Sequence, residues 1–187
     1  MIPIKNKKKN LEATVEEIRK FSLIYLEKYA PSKQQLRTYL LKKYLKSFSS
    51  SIKKKDLVNL IDIVITDLEK TKFISDKFYS DNKAMHLIKK GSSINKIRNY
   101  LISKGVKNEY IKETISKIQD NNEDQDFFSA IKICKKKRIG PARDDNNRPL
   151  FYKKDMGILA RSGFDFETSN RVMELKKNEY LKIINLL

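Results

Sequence analysis

One short helical pattern occurs three times along this chain, at intervals of about 60 residues. Its fullest copy, residues 93 to 106, reads SINKIRNYLISKGV. The segment that starts at Ser32 has similar residues at the same offsets, and residues 158 to 164 repeat the second half of the pattern. Each copy lies between two further helical patterns. The chain is therefore predicted to be all-α, with three tandem three-helix repeats forming an elongated, curved array, and such arrays usually act as binding surfaces rather than as pockets.

The apolar and turn residues divide the chain into four parts. Residues 1–10 contain four lysines and little to bury, so they are predicted to be a mobile basic arm, which could contact phosphates or act as a solubilising tail. Residues 11–72, 73–120 and 121–187 are predicted to be the first, second and third three-helix repeats. No segment flanked by hairpin turns shows a regular alternation of apolar and polar residues, so no β-strand is predicted.

Capping residues predict where several helices begin. Ser32, the pair Ser75-Asp76 and Asn108 each precede a helical pattern and are expected to cap it, because their side chains can accept a hydrogen bond from a free N–H of the first turn. A single last helix is expected to begin at Asp165 or Thr168. All four prolines fall outside the helices predicted in this way.

Glycines predict where two of the middle helices end. Gly105 and Gly163 follow matched segments, and each is expected to close its helix with a positive φ, which glycine adopts without steric cost. Tyr44 has the corresponding place in the first repeat, so that turn must close differently. Residues 139 to 149 contain Gly and Pro and are predicted to be the longest loop.

The net charge points to an anionic partner. The chain has 41 basic and 23 acidic side chains, a formal charge of +18 at pH 7. A protein this basic usually meets nucleic acid, an acidic protein surface or lipid headgroups. A genome biased toward lysine is the alternative explanation, although bias alone does not account for this excess. No stretch approaches the roughly 18 to 20 uncharged residues of a membrane span, and no apolar signal core follows the first lysines, so we expect a soluble, cytoplasmic protein without membrane contact.

Residue types that usually carry catalysis are sparse in this chain. His86 is the one histidine and Cys134 the one cysteine, so neither a Ser/His/Asp relay nor a Cys/His zinc site is supplied. His86 is expected to be structural or on the surface, and Cys134 to be a small buried apolar residue of a helix. No Gly-rich phosphate-binding motif occurs. We therefore predict no catalytic residue, no metal site and no cofactor. A magnesium site built from scattered carboxylates is the open alternative.

Two groups of basic residues are the candidate binding surface for a protein partner or DNA. The first surrounds the middle helix of the second repeat and consists of Lys89, Lys90, Lys96, Arg98 and Lys104. The second lies just before and within the predicted loop and consists of Lys135, Lys136, Lys137, Arg138 and Arg143, with Arg161 after it. A basic loop can offer both cations and backbone N–H groups to phosphate, whereas the alternative is a solvated hinge. No recognised DNA-reading motif is present, so base-specific readout is not expected.

Several of these residues also carry a family resemblance. The sequence FISD at 73–76, followed by Tyr79, Lys90-Gly91 and Lys104-Gly105-Val106, is similar to the central repeat of the RecX family, regulatory proteins that modulate the RecA recombinase. The sequences KKRIGPAR at 136–143 and ARSGF at 160–164 resemble the C-terminal repeat of that family. The match covers roughly residues 15 to 180, and its specificity lies in the order and spacing of the motifs.

The resemblance implies a non-enzymatic regulator that binds the RecA nucleoprotein filament and inhibits its ATPase, strand exchange and growth during recombination and DNA repair. We expect it to act as a monomer and to make weak contact with single- or double-stranded DNA. The alternative is a general basic helical protein that binds nucleic acid and acts by competition for DNA. The chain departs from the family at Tyr29-Ala30-Pro31, where an arginine is common, and has lysine in place of many family arginines, so individual salt bridges are not carried over.

Overall fold

A computed structural model of the chain describes residues 11–47 and 53–187. The predicted basic arm lies outside these described residues, as does most of the turn after α2. Within the described ranges the structure has α-helices and short 3₁₀ turns, with no β-strand. The prediction of an all-α fold is therefore confirmed, while the elongated, curved array stays a prediction.

The chain divides into two compact units. Among the described residues, the first comprises residues 11–47, 53–79 and Lys104–Val106, and the second comprises Ser80–Ser103 and Lys107–Leu187. Helix α4 (Asp76–Lys89) begins in the first unit and continues in the second.

The first unit is built on three helices, α1 (Val15–Lys28), α2 (Lys33–Ser47) and α3 (Lys54–Lys70). Thr14 caps helix α1, because its Oγ1 accepts a hydrogen bond from the Glu17 N–H at 3.2 Å. Apolar residues at helical spacing form the buried core, which includes Ile18, Leu36, Leu40, Tyr44, Leu57, Ile61, Val64, Ile65, Leu68 and Ile74. Burial of a large apolar side chain contributes about 1.5 to 3 kcal/mol, so this core holds the unit together.

The second unit contains the rest of α4 and six further helices. These are α5 (Ile94–Ser103), α6 (Asn108–Asn121), α7 (Gln125–Lys137), α8 (Arg148–Arg161), α9 (Phe166–Glu174) and α10 (Lys177–Leu186). Helices α7 to α10 share a core that consists of Ala130, Ile131, Cys134, Ile139, Leu159, Phe164, Val172, Met173, Tyr180 and Ile184. Cys134 is fully buried, and burial raises the pKa of its thiol to about 12, which fits the predicted structural role. His86 is exposed in the last turn of α4.

The predicted helix starts are mostly confirmed. The Gln35 N–H donates to Ser32 Oγ at 3.2 Å, and the Phe78 N–H donates to Ser75 Oγ at 3.3 Å. The prediction for Asn108 is wrong by one residue, because Lys107 is the extended residue before α6 and Asn108 is already helical.

The predicted helix ends at the two glycines are also confirmed. Gly105 has a φ of 71° and Gly163 a φ of 92°. Tyr44 is fully buried in the core of the first unit, and α2 continues past it to Ser47. A buried ring at this position explains why the first repeat has no glycine there.

The third repeat differs from the prediction at two places. Helix α8 begins at Arg148 rather than at Phe151, so Pro149 lies inside its first turn, where the missing N–H has no helical partner to lose. The prediction of a single last helix is wrong. The chain is extended at Lys176, and the Lys176 N–H donates to Glu179 Oε2 at 3.0 Å, which starts a separate helix α10.

Candidate partner interface

A buried serine caps the middle helix α2 in the first unit and bonds a distant segment as well. Ser32 Oγ accepts from the Gln35 N–H and donates its own proton to the Lys104 carbonyl at 2.6 Å. The next N–H, that of Lys33, donates to Asp76 Oδ1 at 2.9 Å. Two elements distant in sequence are thus fixed to the start of one helix.

The second unit repeats this arrangement at α5. Ser93 Oγ accepts from the Lys96 N–H at 3.2 Å and donates to the Ser162 carbonyl at 3.0 Å. The Ile94 N–H donates to Asp126 Oδ1 at 2.8 Å. Burial raises the pKa of the Asp126 carboxyl, although the bond from Ile94 acts in the opposite direction. We call the two arrangements the Ser32 joint and the Ser93 joint.

Both joints need the glycine that follows the bonded carbonyl. A Cβ at Gly105 would lie 2.6 Å from Gln34 Cβ, and a Cβ at Gly163 would lie 2.5 Å from Ser93 Oγ. The glycines therefore serve close approach as well as positive φ. The recurring glycine in the sequence pattern marks the joints.

The joints position part of the first group of candidate cations. Lys96 and Arg98 lie exposed on α5. Lys96 is close to Gly163, since a Cβ built at Gly163 would lie 3.5 Å from the Lys96 Cβ. Arg161 lies two residues before Gly163 in the sequence. Lys89 and Lys90 lie exposed at the end of α4, next to Gly91, which packs against α7 at Lys132. Lys104, in the first unit, contributes its carbonyl to the Ser32 joint.

Most of the second group lies together at the end of α7. Lys135, Lys136 and Lys137 form the exposed last turn of that helix, and exposed Arg138 closes it in the left-handed conformation with a φ of 54°. Cations at a helix C-terminus are favoured by about 0.3 to 1 kcal/mol each, which is one structural reason for their place. Their ammonium groups still add to a strongly positive surface.

Arg143 has a different position from the other members of its group. Its guanidinium makes two hydrogen bonds to the fully buried Asp155 carboxylate, at 2.6 Å and 2.9 Å, and the Gly140 N–H donates to the same carboxylate at 2.8 Å. The predicted loop is thus tied to α8. Two 3₁₀ turns, Gly140–Ala142 and Asp145–Asn147, lie within the segment that was predicted to be a loop.

Charge stabilises this buried pair. Burial alone would raise the pKa of Asp155, but the hydrogen bonds from Arg143 and Gly140 outweigh it and hold that pKa below its ordinary value. The pKa of Arg143 is raised, mainly by its hydrogen bond to Asp155. Arg143 therefore holds the loop in place. Its guanidinium is bonded to Asp155, whereas the Lys135 side chain is exposed to solvent.

Sequence reasoning missed the exposed aromatic residues beside α8. Tyr152 and Phe166 are 39% and 75% exposed, and Leu150 is exposed in the same helix as Tyr152. The sequence did contain a signal for the exposure of Phe166. This residue directly follows the capping residue Asp165 and is therefore the first residue of α9, at the end of the helix.

The described part of the chain offers neither a membrane span nor a metal-binding cluster. Over residues 11–47 and 53–187, no helix is long and apolar enough to cross a membrane. In the same ranges, no group of three or more His, Cys, Asp or Glu side chains is placed to hold a metal ion.

Comparison with known proteins finds likeness to RecX proteins. A protein named Regulatory protein RecX from Myxococcus xanthus is 29% identical over 156 residues, which are 82% of this chain and 82% of that protein. The resemblance to the RecX family is confirmed. The crystal structure of RecX from Lactobacillus salivarius has the same fold, with a TM-score of 0.62 at 14% identity over 92% of this chain and 97% of that RecX chain. No family model matches the sequence.

Proposed function

We propose that this chain is a non-enzymatic regulator that binds the RecA nucleoprotein filament and inhibits its ATPase activity, strand exchange and growth in recombination and DNA repair. The observation that carries the proposal is the likeness to a regulatory protein RecX over 82% of both chains. The RecX family, through the motifs at residues 73–106 and 136–164, connects the chain to RecA. On this proposal the protein acts as a monomer in the cytoplasm.

The charge of the chain supports this function. A filament of RecA on DNA carries a polyanion, and a formal charge of +18 favours association with it through long-range attraction. Exposed cations at Lys135 to Lys137 offer one contact surface, with Lys89, Lys90, Lys96, Arg98 and Arg161 as further candidates. Inhibition needs no chemistry, because preferential binding to one filament geometry shifts the filament population.

The charge also favours a second candidate function. A general basic protein could coat DNA and affect recombination only by competition for the strand. Such a protein would bind bare single-stranded DNA at physiological salt as tightly as it binds the RecA filament. A clear preference for the filament supports the first proposal.

The direct test is the DNA-dependent ATPase of the cognate RecA with this protein titrated in. We expect inhibition at fewer than one molecule per RecA subunit, since a regulator that binds the filament acts on many subunits. Inhibition that appears only when the protein is sufficient to cover the DNA, and that added DNA reverses, would replace filament binding with competition.

A further inference from the structure

A cleft of about 360 Å³ lies between α8 and α9 in the second unit. Tyr152 and Phe166 both line it, and both rings are exposed to solvent. Gly157 and Ala160 line the cleft from α8, where small residues leave the helix surface open. The cleft therefore has aromatic walls and a flat floor.

The Tyr152 wall is held in place by hydrogen bonds. The Tyr152 hydroxyl donates to Asn170 Oδ1 at 2.8 Å, and Asn170 Nδ2 donates to Glu174 Oε1 at 2.7 Å. These bonds fix the ring relative to α9 before any ligand arrives. Binding to a ring that is already ordered loses less conformational entropy.

Gly157 has no evident role in the fold. A glycine in the interior of a helix makes that helix less stable than an alanine at the same position would. A Cβ at Gly157 would approach Arg161 Nη1 at 3.3 Å and the Arg161 Cζ and Nη2 at 3.9 Å, all at the flexible end of one side chain. The absence of a Cβ at Gly157 therefore leaves room for the Arg161 guanidinium beside this residue.

The charges at the cleft favour an anionic ligand. Lys153 lines the cleft, and the Arg161 guanidinium lies close to Gly157, which also lines it. The one carboxylate in the lining, Asp165, accepts from the Thr168 N–H at 2.7 Å and so serves as the cap of α9. Aromatic rings beside cations are the combination that binds bases and phosphates of single strands.

We propose that this cleft binds one unpaired base of a single-stranded nucleic acid. Tyr152 and Phe166 flank the base, and Lys153 and Arg161 contact the neighbouring phosphates. An apolar protein side chain would use the rings but would leave the two cations without an anionic partner. The proposal does not depend on RecA regulation, since a free strand suffices to test it.

The test compares two labelled oligomers of equal length, oligo-dT and a fully abasic strand, by fluorescence anisotropy. We expect the intact protein to prefer oligo-dT. The variants Tyr152→Ala and Phe166→Ala should each weaken oligo-dT binding about tenfold and leave abasic binding nearly unchanged. Phe73→Ala is the matched control, because Phe73 is a 57% exposed aromatic residue in the first unit and should alter neither affinity.

A second variant separates binding from folding. Gly157→Ala should raise the melting temperature, through better helix propensity, while weakening oligo-dT binding, because the new methyl displaces Arg161. Unchanged affinity of this variant for oligo-dT would overturn the proposal. So would variants at Tyr152 and Phe166 that weaken binding to the RecA filament but leave oligo-dT binding intact, since the cleft would then hold a protein side chain.

Discussion

The hydroxyl of Ser93 donates to the main-chain carbonyl of Ser162 at 3.0 Å, across 69 positions of the sequence. Ser32 makes the corresponding bond to Lys104, across 72 positions, in the first unit. Each hydroxyl accepts from the first turn of its own helix and donates to the end of another. One side chain thus performs a local and a long-range role at once.

Ser93→Ala removes both bonds of the Ser93 joint. We expect a loss of about 1 to 2 kcal/mol in the free energy of unfolding, because the Lys96 N–H loses its cap and the Ser162 carbonyl loses a buried donor. Urea unfolding followed by circular dichroism measures it. Ser116→Ala, at an exposed position of α6, is the control and should change stability by less than about 0.5 kcal/mol. Equal effects of the two substitutions would show that the joint adds nothing.

Two glycines near the end of α8 should respond oppositely to alanine. Gly163→Ala should destabilise by more than about 1 kcal/mol, because Gly163 has positive φ and its Cβ would meet Ser93 Oγ at 2.5 Å. Gly157→Ala should stabilise by up to about 1 kcal/mol, because Gly157 is helical and only Arg161 must move. Thermal melts of both variants check this, and shifts of the same sign would contradict it.

The repeat pattern predicted the helices and these two helix ends, because periodicity and positive-φ glycine are local properties. Sequence could not show that Ser32 and Ser93 also bond to distant carbonyls, since a capping serine looks the same with or without a second partner. The last helix was predicted as one, but α9 ends at Glu174 and α10 begins after Lys176, whose N–H donates to Glu179 Oε2.

The candidate site was less predictable. Basic residues were identified by charge alone, and charge does not say which guanidinium faces solvent. Arg143 and Arg138 are five positions apart, yet the first is bonded to Asp155 and the second is exposed. Their difference arises from a buried carboxylate 12 positions after Arg143, which only the folded chain brings close.

Asp155→Asn should destabilise the protein by about 3 kcal/mol near neutral pH, since it breaks a buried ion pair. The folded-state pKa of Asp155 lies below its ordinary value, so its contribution is complete above the ordinary value and is lost as pH falls through the lower one. The difference between variant and parent should therefore shrink below about pH 4. Urea titrations at several pH values measure it.

The control for this prediction is another bidentate pair. Arg37 Nε and Nη2 donate to Asp62 at 2.6 Å and 2.7 Å, but the Asp62 side chain is 46% exposed. Water screens this pair, so Asp62→Asn should cost less than about 1 kcal/mol. Similar losses from Asp155→Asn and Asp62→Asn would mean that burial does not decide the strength of these pairs.

Replacing Lys135, Lys136 and Lys137 together by glutamine tests the end of α7 as a partner surface. The expected result is weaker inhibition of the RecA ATPase with helix content unchanged, because three exposed cations are removed and glutamine keeps good helix propensity. The matched control is the same change at Lys53, Lys54 and Lys55, three consecutive exposed lysines at the start of α3.

Salt dependence distinguishes the two kinds of partner that this surface could meet. If these lysines neutralise phosphates, the slope of log affinity for single-stranded DNA against log salt should fall by about 0.7 for each phosphate that the variant no longer neutralises. If they pair with acidic side chains of RecA instead, filament binding should weaken while affinity for bare DNA stays nearly constant. Equal reduction of inhibition in both triple variants would assign the effect to total charge, and unaltered inhibition in both would move the partner surface to the cations around α5.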